Sequence, residues 1–89
     1  MYQKFFTEFV GTLLLVFILL TTKSPIAVGA TFTLLLLLSR GSSKGYFNPA
    51  ITIVLSSIGM MPKTDVLPYC LSQILGGMVG VQLFNFTKQ

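Results

Sequence analysis

Asn48, Pro49 and Ala50 follow the stretch Gly41-Ser42-Ser43-Lys44-Gly45-Tyr46-Phe47 and open an apolar run. That order holds most of the chemistry in the sequence. Asparagine ahead of proline reads as a helix N-cap, with proline at the first helical position, where no N–H is needed. The capping amide keeps its NH2 free to donate to a passing oxygen. The helix start adds unpaired N–H groups and the positive end of its dipole. On the approach, the carbonyls of Gly45, Tyr46 and Phe47 offer a line of acceptors. Donors at one point, acceptors along a path and a positive field suit water or a small neutral alcohol. They disfavour cations and hopping protons. The bland reading of Asn48 is a plain helix cap in a solvated loop.

Other reactive groups are few. There is no histidine, Cys70 is the only cysteine, and Glu8 and Asp65 are the only carboxylates. A disulfide within the chain is impossible, and a His- or Cys-rich metal site is nearly so. Nothing pairs a nucleophile with a base, so neither an enzyme nor a cofactor is expected. Net charge is +4, but the cations are scattered singly, without a basic run or helical stripe, which argues against a nucleic-acid partner. Glu8 and Gln73 stand inside apolar blocks. An acid there is a functional candidate by default; headgroup-level charge is the ordinary alternative for Glu8, and a helix–helix hydrogen bond that for Gln73.

The elements that must position these residues follow from hydropathy. Of 89 residues, 53% are hydrophobic and 9% charged, too little polar material to cover a small soluble domain. The apolar residues come in blocks, as lipid requires. Residues 5–22 and 25–40 read as two membrane-spanning helices, the second opened by Pro25 and taking Ser39 and Arg40 as its interfacial end. Residues 41–59 read as a loop and a short helix stopped by Gly59 and Pro62. That helix has about ten residues, or ~15 Å, half of a ~30 Å hydrocarbon core. Irregular backbone at such depth must be buried in protein or line a wet cavity, so the segment is expected to dip into the bilayer and return. Residues 66–86 form a third span, in which Gly76 and Gly80 make a small-xxx-small pair. A secretory signal at the N-terminus is the weaker reading, because Thr21-Thr22-Lys23-Ser24 lacks a small-x-small cleavage site. The expected fold is an all-α membrane protein of three transmembrane helices and one re-entrant half-helix, a single unit over 1–89.

Three motifs in order resemble the aquaporin and glycerol-facilitator family, the major intrinsic proteins. They are Glu8-Phe9-Val10-Gly11-Thr12 in the first helix, Asn48-Pro49-Ala50-Ile51-Thr52, and Tyr69-x-x-Ser72-Gln73-x-x-Gly76-Gly77-x-x-Gly80 in the third. Asn-Pro-Ala alone arises by chance in roughly one per cent of chains this size; the ordered set, from about Phe6 to Gly80, is far more specific. The resemblance implies pore-lining roles for Gly45, Tyr46, Phe47, Asn48, Pro49 and Ala50, and for Val28 at the outer constriction. Glu8 and Gln73 would support the loop, while Gly11, Gly29, Gly76, Gly77 and Gly80 would pack helices. It also implies half of a two-unit domain, since a second Asn-Pro-Ala and the filter arginine have no counterpart; Arg40 lies on the loop side and is no substitute.

Tyr46 stands where the family usually has histidine, Lys44 where it has a small residue, and Val28 where water-selective members place an aromatic. A valine at position 28 suggests a wider or less polar constriction, which weakens strict water specificity. The family keeps its N-terminus in the cytoplasm. That puts Lys4, Arg40, Lys44 and Lys63 inside and Lys23 and Lys88 outside, the direction of the positive-inside rule. The expected function is passive permeation of water or small uncharged solutes such as glycerol. The pore would be closed by a homo-oligomer or a complementary half-channel. Its rivals are a non-conducting membrane protein that associates with another channel and modulates it, and a small helical pore that merely has an asparagine cap.

Overall fold

Four α-helices and one 3-10 turn make up the computed structural model, which describes residues 2–88. The helices are α1 (Gln3–Thr21), α2 (Pro25–Ser39), α3 (Pro49–Ser57) and α4 (Val66–Thr87), with the turn at Lys63–Asp65 leading into α4. Among the described residues there is no strand, so the fold is all-α, as the apolar blocks predict. α1, and α4 with its lead-in turn, are long and apolar enough to cross a membrane. The longest dimension, 42 Å, is that of a bilayer with its headgroup regions, ~40–45 Å.

α2 is shorter than expected. Its 15 residues cover about 22 Å, and Arg40 falls outside the helix. The cause is local: the Ser39 carbonyl accepts from Ser42 N (3.0 Å), Ser43 N (3.1 Å) and Ser42 Oγ (3.0 Å). These bonds turn the chain back, with Gly41 at φ 86°. At the other end Ser24 Oγ accepts from Ala27 N at 3.2 Å and Pro25 takes the first helical position, a standard capped start.

α3 has nine residues, about 14 Å of helix. Gly59 N donates to Ser56 O (3.0 Å) and Met60 N to Leu55 O (3.0 Å). This is the paired closure in which a glycine takes the left-handed turn, and Gly59 has φ 85°. The helix therefore stops by design of its own backbone, not because the apolar residues run out.

Packing inverts the usual order of inside and outside. Among the described residues the buried polar ones are Glu8, Thr12, Ser39, Thr52, Ser56 and Gln73, against only Leu35, Phe47, Met61 and Tyr69 as buried apolar ones. Leu34, Leu36, Leu37 and Leu38 face outward. Water would penalise that distribution; lipid favours it, because hydrocarbon solvates the leucines and leaves hydrogen bonds to be made internally. α1 and α4 form the main pair, α3 packs on α4, and α2 leans chiefly on α1. A Cβ on Gly80 would lie 2.7 Å from the Leu13 carbonyl oxygen, and one on Gly76 would overlap that of Phe9. α1 and α4 thus approach at backbone distance. Gly29 differs from the packing role expected for it: no atom lies within 4 Å of its Cβ position, because α2 turns this face away from its neighbours.

Candidate functional site

Glu8 is fully buried, and four donors converge on its carboxyl group. Oε2 accepts from Ser43 Oγ (2.8 Å) and Gly45 N (3.0 Å), and Oε1 from Phe47 N (2.8 Å) and Gln73 Nε2 (2.8 Å). Two bonds per oxygen fill the acceptor sites of a carboxylate. One residue of α1 thereby ties down three residues of the loop and one of α4.

Those bonds fix the direction of the loop carbonyls. In a trans peptide the N–H of one residue and the C=O of the one before point opposite ways, and no cis bond occurs among the described residues. Gly45 N and Phe47 N point at Glu8, so the carbonyls of Lys44 and Tyr46 point away from the α1–α4 wall. Lys44 N donates to Tyr69 Oη at 3.1 Å, which turns the Ser43 carbonyl outward as well. No carbonyl from Ser43 to Phe47 accepts a hydrogen bond among the described residues. The carbonyls whose direction these bonds set are those of Ser43, Lys44 and Tyr46; of the expected acceptors Gly45, Tyr46 and Phe47, only Tyr46 is among them.

Phe47 carries the strain of this arrangement. Its φ of 53° lies in the left-handed region, which a bulky residue rarely occupies. The ring is 4% exposed, lies edge-on to Phe32 at 6.3 Å, and occupies the space that a Cβ on Gly11 would need. Gly11 was expected to admit a helix; it admits the loop instead. The contact also measures depth, because Gly11 is one residue from the middle of α1. The loop tip therefore stands level with the centre of that helix.

At the tip, Asn48 Oδ1 accepts from Ala50 N at 2.8 Å. The cap needs an acceptor there, so the amide NH2 must face the other way, and it has no partner among the described residues. Behind it, Thr52 Oγ1 donates to the Asn48 carbonyl (2.9 Å) and accepts from Gln73 Nε2 (2.9 Å). Glu8, Gln73, Thr52 and Asn48 form one connected network across α1, α4 and α3. Asn48 and Ala50 are exposed along with Ile51, Ile53 and Val54, so one side of the site lies open.

Val28 is not part of this cluster. It lines a separate crevice with Leu19, Leu20, Thr22, Lys23 and Gly29, around the α1–α2 connection. Tyr46 lies with its ring centroid 6.3 Å from that of Tyr69. Three supporting residues carry no assigned role in the sequence reading, although Thr52 and Tyr69 stand within its motifs. Thr52 lies one turn after Asn48 and Tyr69 one turn before Gln73, so helical spacing carried both signals. Ser43 had none, being one serine among several in a loop.

The family profile described as major intrinsic protein matches residues 1–89. The chain is similar to the glycerol uptake facilitator protein-like 6 of Lactiplantibacillus plantarum, with 31% identity over 86% of this chain and 40% of the relative. It is also similar to aquaporin Z of Brucella melitensis (31% identity, 93% of this chain, 43% of the relative). The glycerol uptake facilitator protein of Streptococcus pneumoniae shares 33% identity over 90% of this chain and 42% of the relative. The chain thus spans about two-fifths of the length of these curated relatives. No solved structure matches it significantly.

Proposed function

The chain belongs to the major intrinsic protein family, and from that premise we propose that it forms one wall of a passive membrane channel for water or small uncharged solutes such as glycerol. The observation that carries this reading is the loop held by Glu8: outward carbonyls lead to an unspent Asn48 NH2 at the level of mid-helix. A permeating hydroxyl would accept from Asn48 and donate to the carbonyls in turn, replacing the hydrogen bonds it leaves in water. A cation would meet the positive end of α3. The open side requires a second wall, from another copy inserted in the opposite sense or from a complementary half-channel. The N-terminus lies in the cytoplasm on this reading, with Lys4, Arg40, Lys44 and Lys63 on that side.

The exposed apolar face of α3 favours one alternative, a non-conducting chain that docks this face on another channel and modulates it. Proteoliposome swelling with the purified chain alone separates the two. Asn48→Asp is the informative variant, because aspartate still caps α3 but replaces the amide donor with a carboxylate. The expected result is an unchanged thermal transition and a neutral-solute permeability reduced roughly fivefold, the weight of one net hydrogen bond of ~1 kcal/mol. Liposomes no more permeable than protein-free ones, with insertion intact, would leave the docking reading.

A further inference from the structure

The loop and the helix ends beside it border an open cavity of about 320 Å³, lined by Lys4, Ser42, Ser43, Lys44, Asp65 and Tyr69 among others. It lies at the end of the molecule where Lys4, Arg40, Lys44 and Lys63 gather, around the start of α1, the end of α2 and the turn before α4. The charges in its wall are two ammoniums against one carboxylate. Lys4 Nζ bonds Asp65 Oδ2 at 2.7 Å, which neutralises that carboxylate locally and leaves Lys4 two further N–H donors. Lys44 is exposed, with no carboxylate partner among the described residues.

The second observation is Tyr69. The residue is 1% exposed, and its hydroxyl accepts from Lys44 N at 3.1 Å. The hydroxyl's own proton has no acceptor among the described residues. Tyr69 borders the cavity beside the residue it bonds, so an acceptor oxygen there can take that proton. The geometry points to a site for one phosphodiester, with Tyr69 Oη–H, Lys44 Nζ and Lys4 Nζ as donors. The source is an anionic phospholipid of the surrounding membrane. The cavity opens where α1 and α4 begin, the headgroup level of a helix pair that spans a bilayer, and basic pockets between spanning helices bind such headgroups. Because the cavity wall includes Ser43 and Lys44 of the re-entrant loop, an occupant would brace the segment that carries the outward carbonyls. This inference requires insertion in a bilayer and is independent of whether the chain conducts.

The test uses the intact chain in phosphatidylcholine vesicles containing a trace of spin-labelled phosphatidylglycerol or, separately, spin-labelled phosphatidylcholine. The motionally restricted fraction of each label gives the relative association. Phosphatidylglycerol is expected to be preferred, and Lys44→Gln to reduce the preference about fivefold, the weight of one direct hydrogen bond to the phosphodiester. Lys63→Gln should leave it within about twofold, since Lys63 is equally exposed at this end but outside the cavity. Tyr69→Phe should lower it further in the Lys44→Gln background. Equal losses from Lys44→Gln and Lys63→Gln would replace the site with a diffuse surface field. Absence of any preference would overturn it outright. Displacement of the label by excess glycerol 3-phosphate would reassign the site to a soluble phosphate.

Discussion

Replacing Glu8 by alanine is expected to release the re-entrant loop and to abolish any permeability the chain supports. Ser43 Oγ and Phe47 N lose their acceptor outright, while Gly45 N keeps only Ser43 Oγ at 3.1 Å and Gln73 Nε2 only Thr52 Oγ1 at 2.9 Å. Each buried donor left unpaired costs ~1–3 kcal/mol. The loop therefore loses at least ~2 kcal/mol, a substantial share of the ~5–15 kcal/mol that holds a typical domain folded. Phe47 sharpens the loss, because its left-handed backbone persists only while the surroundings over-determine it. Without the bond to Glu8, the residue is expected to relax to negative φ and withdraw its ring from Gly11.

Glutamine at this position is expected to fail nearly as badly, although it matches glutamate in size. Each carboxyl oxygen takes two donors, so whichever oxygen becomes NH2 presents donors to donors. Glu8→Asp keeps both oxygens but is one methylene short of the loop amides. Thermal unfolding in detergent and hydrogen exchange at the Gly45 and Phe47 amides provide the check. A Glu8→Gln chain within ~1 kcal/mol of the unchanged protein, with both amides still protected, would mean that the carboxyl group is not the anchor described here.

What the sequence made legible was whatever repeats or caps locally. The three apolar blocks predict all-α architecture, and Asn48-Pro49 announces a capped helix start before any fold is known. Glu8 and Gln73 were visible because a lone polar group inside an apolar block demands a partner. Which partner it finds depends on contacts 37, 39 and 65 residues apart in the chain, and no local pattern encodes them. Phe47 shows the limit most clearly. Nothing about an aromatic before asparagine announces a left-handed backbone, and Gly11 reads as a helix-packing glycine until the ring is seen in its place. The end of α2 was misread for a related reason. Arg40 is a good helix residue, but the bonds of Ser42 and Ser43 to the Ser39 carbonyl compete with one more turn.

The glycines of α4 give the second large effect, and neighbours in sequence are expected to answer oppositely. A Cβ at Gly76 would overlap the backbone carbonyl of Phe9. A main-chain oxygen cannot swing aside as a side chain can, so α1 and α4 must separate. Overpacking of this kind costs typically ~1–3 kcal/mol, and Gly76→Ala is expected at the upper end, with Gly80→Ala close behind, 2.7 Å from the Leu13 oxygen. Gly77 is adjacent, yet its Cβ would meet Val16 Cγ2 at 3.5 Å and Thr12 Cγ2 at 3.8 Å, ordinary contact distances. Alanine there removes the helix penalty of glycine, ~0.5–1 kcal/mol, and Gly77→Ala should be neutral or mildly stabilising. Gly29→Ala, facing open space on α2, should behave like Gly77→Ala in the isolated chain. Thermal unfolding of the four variants in one detergent decides the matter. The polar network has members on α1 and α4 alike, so separation at Gly76 also moves Gln73 away from Glu8. Loss of stability in Gly76→Ala should therefore bring increased hydrogen exchange at the loop amides, far from the substituted atom. A uniform response across all four glycines would show that composition, not the backbone-distance contact of α1 with α4, sets the stability of this pair.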